Sequence, residues 1–134
     1  MIYEVKTLEQ DLTAFFACRL GLVVDSAIFR GEIPDGIENG VALRVMGTSE
    51  PANNDNPLYS VQIIGKFLDR DDAWKLGTKI YDMIPFYGEQ TEHFHLVFVR
   101  PDSGLIPPIK IDDKGKTKHF ASINLAVSVL TKRA

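Results

Sequence analysis

The sequence predicts a single α+β domain in which two amphipathic helices pack on one face of a mostly antiparallel mixed sheet. Two segments carry apolar residues at intervals of three and four, which is typical of helices with one buried face. Four shorter segments alternate apolar and other residues, as half-buried strands do, 27–31 is a further strand candidate, and turn-rich links join these segments. With 134 residues, of which 45% are hydrophobic, the chain has the length of one domain, 1–134, and the composition of a globular protein.

The first helix is predicted from a start signal, an apolar face and a stop signal. Thr7 and Gln10 have the spacing of a capping box, in which each side chain satisfies a backbone N–H group at the helix start. Gly21 supplies the stop. Cys18 lies beside the apolar face, which predicts a packed, unreactive thiol, and as the single cysteine it excludes an internal disulfide. The apolar face consists of Leu8, Leu12, Phe15, Phe16 and Leu20.

Three strands are predicted before the second helix. They are the segments 27–31, 41–46 and 59–67, and a turn-rich stretch, 33–40, joins the first two. The link 47–57 holds no large apolar residue and is longer than most hairpin loops. It is therefore either a flexible insertion or a loop that becomes ordered against a partner. Its candidate interface residues are Thr48, Ser49, Glu50, Asn53, Asn54 and Asp55.

The second helix is predicted to begin after Asp69, where acidic residues suit the positive end of the helix dipole, and to end before Pro85. Gly77 on its buried stripe allows a close approach to a sheet. Trp74 and Tyr81 flank the stripe, either as the margin of the core or as anchors of an interface. The stripe itself consists of Ala73, Leu76, Gly77, Ile80, Met83 and Ile84.

The last two strands are predicted at 93–99 and 123–129, where apolar residues alternate with others. The link 101–118 between them is expected to be a flexible loop. It contains a turn at 113–116 and a possible short strand at 109–111.

Three histidines, His93, His95 and His119, offer the sequence's only pattern that resembles a chemical site. Residues 93 and 95 of a strand face the same side, so both imidazoles can bind one metal ion, with His119 as a third ligand. Surface histidines on a polar strand face give the same pattern. The sequence contains no nucleophile elbow, P-loop, dinucleotide fingerprint, HExxH or CxxC motif. We therefore expect no enzyme, no cofactor and no metal.

The charge of the chain is unevenly distributed. The formal net charge is -3, but residues 106–134 carry +4 and the remainder carries -7. This is either solvated loop charge or a basic edge that meets an acidic edge of a neighbouring copy. The basic candidates are Lys110, Lys114, Lys116 and Lys118. Basic residues are too sparse to predict nucleic-acid reading, and no apolar run predicts a membrane span or a signal peptide.

The order of the segments in the middle of the chain is distinctive. A turn-rich Ile-Pro-Asp segment leads into a strand at 41–47 that ends in glycine, a strand at 59–66, and a helix at 71–84, and a strand at 122–125 follows near the end. This order resembles the tail-terminator and minor-capsid family of tailed bacteriophages, which has a "QV-I-x-G" strand followed by an "A-x-x-x-A-x-x-I-Y-D-x-L"-like helix. Gly77 stands where that helix has its second alanine.

The resemblance implies a structural virion protein with no catalytic residues. Six copies would form a ring that docks onto the last ring of tail-tube subunits, ends tail polymerisation and meets the connector or stopper of the head. The protein would be assembled in the host cytoplasm and located in the virion at the head–tail interface. The alternatives are a head-completion or minor capsid protein of the connector and a metal-dependent enzyme that uses His93, His95 and His119.

Overall fold

The computed structural model describes residues 2–49, 57–113 and 115–132, and it gives only the backbone for residues 2–4, 49 and 113. This part of the chain forms two helices and one seven-stranded sheet, which confirms the predicted α+β class. In chain order the elements are α1 (Ile2–Leu20), β1 (Ile28–Arg30), β2 (Gly40–Ser49), β3 (Leu58–Phe67), α2 (Arg70–Met83), β4 (Phe86–Gln90), β5 (Phe94–Pro101), β6 (Ile109–Asp113) and β7 (Lys116–Thr131).

The sheet is built around its longest strand, β7. The strand order is β1-β2-β3-β7-β5-β4, and β6 pairs with the first part of β7. All pairs are antiparallel except β1 with β2, so the predicted mixed sheet is confirmed. A register shift interrupts the β2–β3 pairing between Val45 and Gly47, and another interrupts β5–β7 between Leu96 and Phe98. Such bulges bend the strands locally.

The core lies between the two helices and one face of the sheet. The register places Leu43, Ile63 and Ile123 side by side on neighbouring strands, and all three are buried. They belong to the same apolar cluster as the buried residues of α1 and α2, so both helices pack on this face. Burying one such side chain fully is worth roughly 1.5–3 kcal/mol, and this packing is therefore what holds the two layers together.

The first helix begins earlier than its capping pattern predicts. It starts at Ile2, so Thr7 and Gln10 lie inside it rather than at its start. The segment before Thr7 contains no glycine or proline to stop a helix, and Val5 extends the apolar face by packing against the core. Cys18 is exposed, so the predicted packed thiol is wrong. Gly21 ends the helix with a φ of 70°, as predicted.

The second helix agrees with its prediction. Asp69 is the N-cap, and its side chain accepts a hydrogen bond from the backbone N–H of Asp71 at 2.8 Å. The helix ends at Met83, two residues before Pro85. Lys79 on its exposed side donates its ammonium group to the carbonyl oxygen of Leu20 at 3.0 Å, which satisfies a free carbonyl at the end of α1 and ties the two helices together.

Gly77 was predicted to allow a close approach of α2 to the sheet. The glycine that allows this approach is Gly65 on β3. A Cβ atom there would lie 2.5 Å from the Cδ2 atom of Leu76. Gly77 instead faces Leu105, because a Cβ atom at position 77 would lie 2.9 Å from the Cδ1 atom of that side chain. The link after β5 therefore crosses over α2, and the hydroxyl group of Tyr81 donates to the carbonyl oxygen of Ser103.

The predicted loops are shorter than expected. Between β5 and β6 only residues 102–108 lie outside strands, and β6 and β7 form a hairpin where 101–118 was expected to be a flexible loop. The short strand at 109–111 is confirmed. The strand β2 extends to Ser49, into the predicted link 47–57, and β3 begins at Leu58, while residues 50–56 lie outside the described residues. Neither described helix has the length and apolar composition that crossing a bilayer requires.

Candidate functional site

The sheet face opposite the helices carries no helix within the described residues. Gln62 on β3 is paired with Arg44 on β2, and both alternate with core residues, so they point away from the helices. We call this surface the open face. The turn 31–39 covers one end of it, because a Cβ atom at Gly40 would lie only 2.8 Å from the Cγ2 atom of Ile37. In the middle of the open face, Arg44 and Gln62 are half-buried within the part of the chain that the structure describes.

A hydrogen-bonded row of polar side chains crosses the middle of the open face. The Nε and Nη2 atoms of Arg44 donate to the Oε1 atom of Gln62 at 3.1 and 3.0 Å. The Nε2 atom of Gln62 donates to the Oγ atom of Ser122 at 2.9 Å, so the row joins β2, β3 and β7. These groups satisfy one another, which fixes their positions on the surface.

Exposed aliphatic side chains are concentrated in β6 and the segment before it. Ile109 is paired with Phe120 of β7, and the alternation of strand residues places Ile109 and Ile111 together on the open face. Among the described strands β6 pairs only with β7, so its other edge is free. Aliphatic surface of this kind is typical of a contact between proteins. The exposed fractions are 40% for Leu105, 45% for Ile106, 55% for Ile109 and 46% for Ile111.

The two aromatic residues predicted to flank α2 are both half-buried. Trp74 lines a surface groove of about 620 Å³ on the outer side of α2, and its ring centroid lies 5.7 Å from the guanidinium carbon of Arg70. Tyr81 is held by its hydrogen bond to Ser103. Trp74 therefore keeps a surface that a partner can contact, whereas the polar group of Tyr81 is already used within the chain.

The remaining predicted interface residues are dispersed. Thr48 is exposed and donates its hydroxyl group to the carbonyl oxygen of Leu58, and Ser49 ends β2. Lys110 is exposed on β6, and Lys116 forms a 3.4 Å ion pair with Glu38. Lys118 is only 9% exposed. The predicted candidates Glu50, Asn53, Asn54, Asp55 and Lys114 lie outside the described residues.

The structure separates the three histidines of the predicted metal site. His95 is paired with Leu130 of β7, and His119 lies eleven residues earlier on that strand. At about 3.3 Å per residue the two positions are roughly 36 Å apart, whereas two ligands of one zinc ion each lie about 2 Å from it. His93 precedes β5 and points to Asp11 on α1. The three imidazoles therefore form no common site.

A buried carboxylate, Asp11, fixes the turn between β4 and β5. Its Oδ2 atom accepts hydrogen bonds from the hydroxyl group of Thr91 and the backbone N–H of His93, both at 2.8 Å. The Nδ1 atom of His93 lies 3.1 Å from the same carboxylate. Lys132, which follows β7, also holds this turn. Its backbone N–H donates to the carbonyl oxygen of His93 at 2.9 Å, and its ammonium group donates to the carbonyl oxygen of Thr91 at 2.6 Å.

The turn also brings together groups that can bind a cation. The ligand atoms of Asp11, Glu92 and His93 all lie within 4.8 Å of one another. The oxygens of Asp11 already accept bonds from Thr91 and His93, so this carboxylate orients the imidazole rather than facing a metal. Only Glu92 and the Nε2 atom of His93, 4.0 Å apart, then remain. A catalytic zinc site uses three protein ligands, and these residues supply too few.

Two buried charged side chains, those of Asp11 and Lys118, were not predicted from the sequence. Asp11 lies next to Leu12 on the apolar face of α1, and Lys118 lies in an alternating strand, yet they are only 7% and 9% exposed. A charged residue at an apolar position of a helix is the signal that indicates Asp11, because such a group is buried only when it has partners.

Comparison of the chain with models of known protein families and with curated protein sequences gives no match.

Proposed function

We propose that this protein is a structural component of a tailed-phage virion that caps the tail tube, ends its polymerisation and forms the tail side of the head–tail joint. The observation that carries the proposal is the exposed aliphatic surface that Ile109 and Ile111 of β6 form on the open face. The proposal is also supported by the order of β2, β3, α2 and β7, which follows the order of segments in the tail-terminator family.

Self-association into a ring requires two different surfaces on each copy, because a cyclic contact joins one side of a subunit to another side of the next. The open face with Ile109 and Ile111 supplies one such surface. The groove at Trp74 lies on the outer side of α2, which packs on the other face of the sheet. Two separate surfaces are what a subunit needs to contact its two neighbours in such a ring.

The proposal is tested by electron microscopy of purified tail-tube protein that polymerises with and without this chain. We expect tubes of limited length with a ring-shaped cap at one end. The variant Ile109→Asp with Ile111→Asp should abolish capping while circular dichroism stays unchanged, because both side chains are about half exposed. Val23→Asp is the matched control, because Val23 is 67% exposed, lies outside the sheet and should leave capping intact.

Tubes that grow unchanged and uncapped with the wild-type chain would refute the terminator function. Binding to the head connector would then support the head-completion alternative. Capping that persists in the double aspartate variant would show that β6 is not the contact, while leaving the terminator function standing.

A further inference from the structure

A cavity of about 330 Å³ opens at the end of the open face, between the turn after β1 and the strands β3 and β7. Lysines from both strands face residues of the turn across this space. The lining consists of Lys66, Lys116, Lys118, Asp35, Gly36, Ile37 and Glu38.

Lys118 is the unusual member of this lining. It is only 9% exposed, and its ammonium group has no hydrogen bond or ion pair to any residue that the structure describes. Its ammonium nitrogen keeps some contact with solvent, although a lysine with so little exposed surface is usually paired. Lys66 is half-buried and equally without a described partner, whereas Lys116 is paired with Glu38 at 3.4 Å.

We infer that this cavity binds a small oxyanion, a phosphate or a carboxylate group, between the ammonium groups of Lys66 and Lys118. The stem of a buried lysine packs against apolar atoms while its charged end reaches towards a polar space, here the cavity. Two ammonium groups without acceptors are complementary to one anionic group, whose oxygens accept charge-assisted hydrogen bonds. Asp35 and Glu38 offset two of the three lysine charges in the lining, so one net positive charge remains and a single anionic group is the expected ligand.

The inference does not depend on the proposed virion function, and it is tested on the full chain in solution. Thermal denaturation and isothermal titration calorimetry are measured with sodium phosphate and with sodium acetate, against sodium chloride at matched ionic strength. We expect saturable binding of at least one oxyanion and a matching rise in the melting temperature.

Lys118→Met keeps the aliphatic stem and removes the charge, and we expect it to weaken binding at least tenfold without lowering the melting temperature in chloride. Lys66→Met should weaken binding similarly, and it carries the test if the Lys118 variant does not fold. Lys75→Met is the matched control, because Lys75 is an exposed lysine of α2 outside this cavity.

The outcomes distinguish the ligand classes. Lysine-dependent binding of phosphate alone supports a phosphorylated ligand, and binding of acetate alone supports a carboxylate such as an acidic side chain. Binding of both supports an oxyanion site of broad specificity. Binding of neither anion above the effect of chloride, or binding that the Lys66 and Lys118 variants retain, would overturn the inference.

Discussion

Replacing Asp11 with alanine tests whether the buried carboxylate holds the domain together. The side chain joins α1 to the turn between β4 and β5 through the hydroxyl group of Thr91 and the backbone N–H and imidazole of His93. Asp11→Ala removes all of these acceptors at once, while the core contacts of α1 remain. The structure therefore predicts a loss of stability without a change of fold.

The expected loss is about 3 kcal/mol. A hydrogen bond to a charged group contributes roughly 1.5–3 kcal/mol net, and two such bonds, from Thr91 and the His93 backbone, are short and well formed. Because the His93 side chain is 51% exposed, water can reach the turn in the variant and bind the donors that Asp11 leaves unpaired. The expected loss of stability is therefore at the lower end of the sum of the two hydrogen-bond contributions. With a urea slope of about 1.5 kcal/mol/M, the unfolding midpoint should fall by about 2 M.

Urea unfolding followed by the fluorescence of Trp74, the single tryptophan, measures this loss. His93→Ala keeps the backbone donor and should cost only about 1 kcal/mol. The difference between the two variants therefore measures the contribution of the hydrogen bonds from Thr91 and from the His93 backbone to Asp11. Asp82→Ala changes the same charge at an exposed position of α2 and should cost less than about 0.5 kcal/mol. The reasoning is refuted if Asp11→Ala unfolds at the same midpoint as Asp82→Ala.

Two further variants test the contacts that position α2. Gly65→Ala places a Cβ atom 2.5 Å from Leu76 and should cost about 1–3 kcal/mol by urea unfolding, whereas Gly47→Ala meets no atom within 4 Å and should be neutral or stabilising. Equal midpoints for the two alanine variants would show that α2 does not pack closely on β3. Lys79→Met removes the hydrogen bond to the end of α1 and should cost about 1 kcal/mol, and a loss no larger than that of Lys75→Met would contradict this role.

Elements with a local signal could be predicted from the sequence, and an element that is recognisable only by its pairing could not. The helix α2 has an N-cap at Asp69, a regular apolar stripe and a proline stop, all of which act within the segment itself. The strand β4 has no such pattern, since Tyr87 is 70% exposed and Gly88 has a φ of 72°. It is a strand because it pairs with β5, which the sequence of β4 alone does not reveal.

The candidate surfaces were harder to predict than the fold. The composition of the link after β2 predicted a candidate interface there. Nothing in the sequence indicated the free edge at β6, because an edge is a property of the whole sheet. The histidines were predicted from alternation to share a face. That reasoning fails at His93, which lies before β5 begins and bonds with Asp11, a residue 82 positions away in sequence. Contacts at such separations depend on the folded chain.

The exposed strand β6 also bears on how copies of this chain can meet. A free edge with Ile109 and Ile111 beside it is a template for unspecific strand pairing, which proteins suppress with short edges, lysine and proline. Here the strand has five residues, Lys110 is the second of them, and Pro107 and Pro108 precede it. Proline cannot donate a backbone hydrogen bond, so an added strand would find few partners. In the ring that we propose, the contact is therefore better made by side chains packing on the isoleucines than by extension of the sheet.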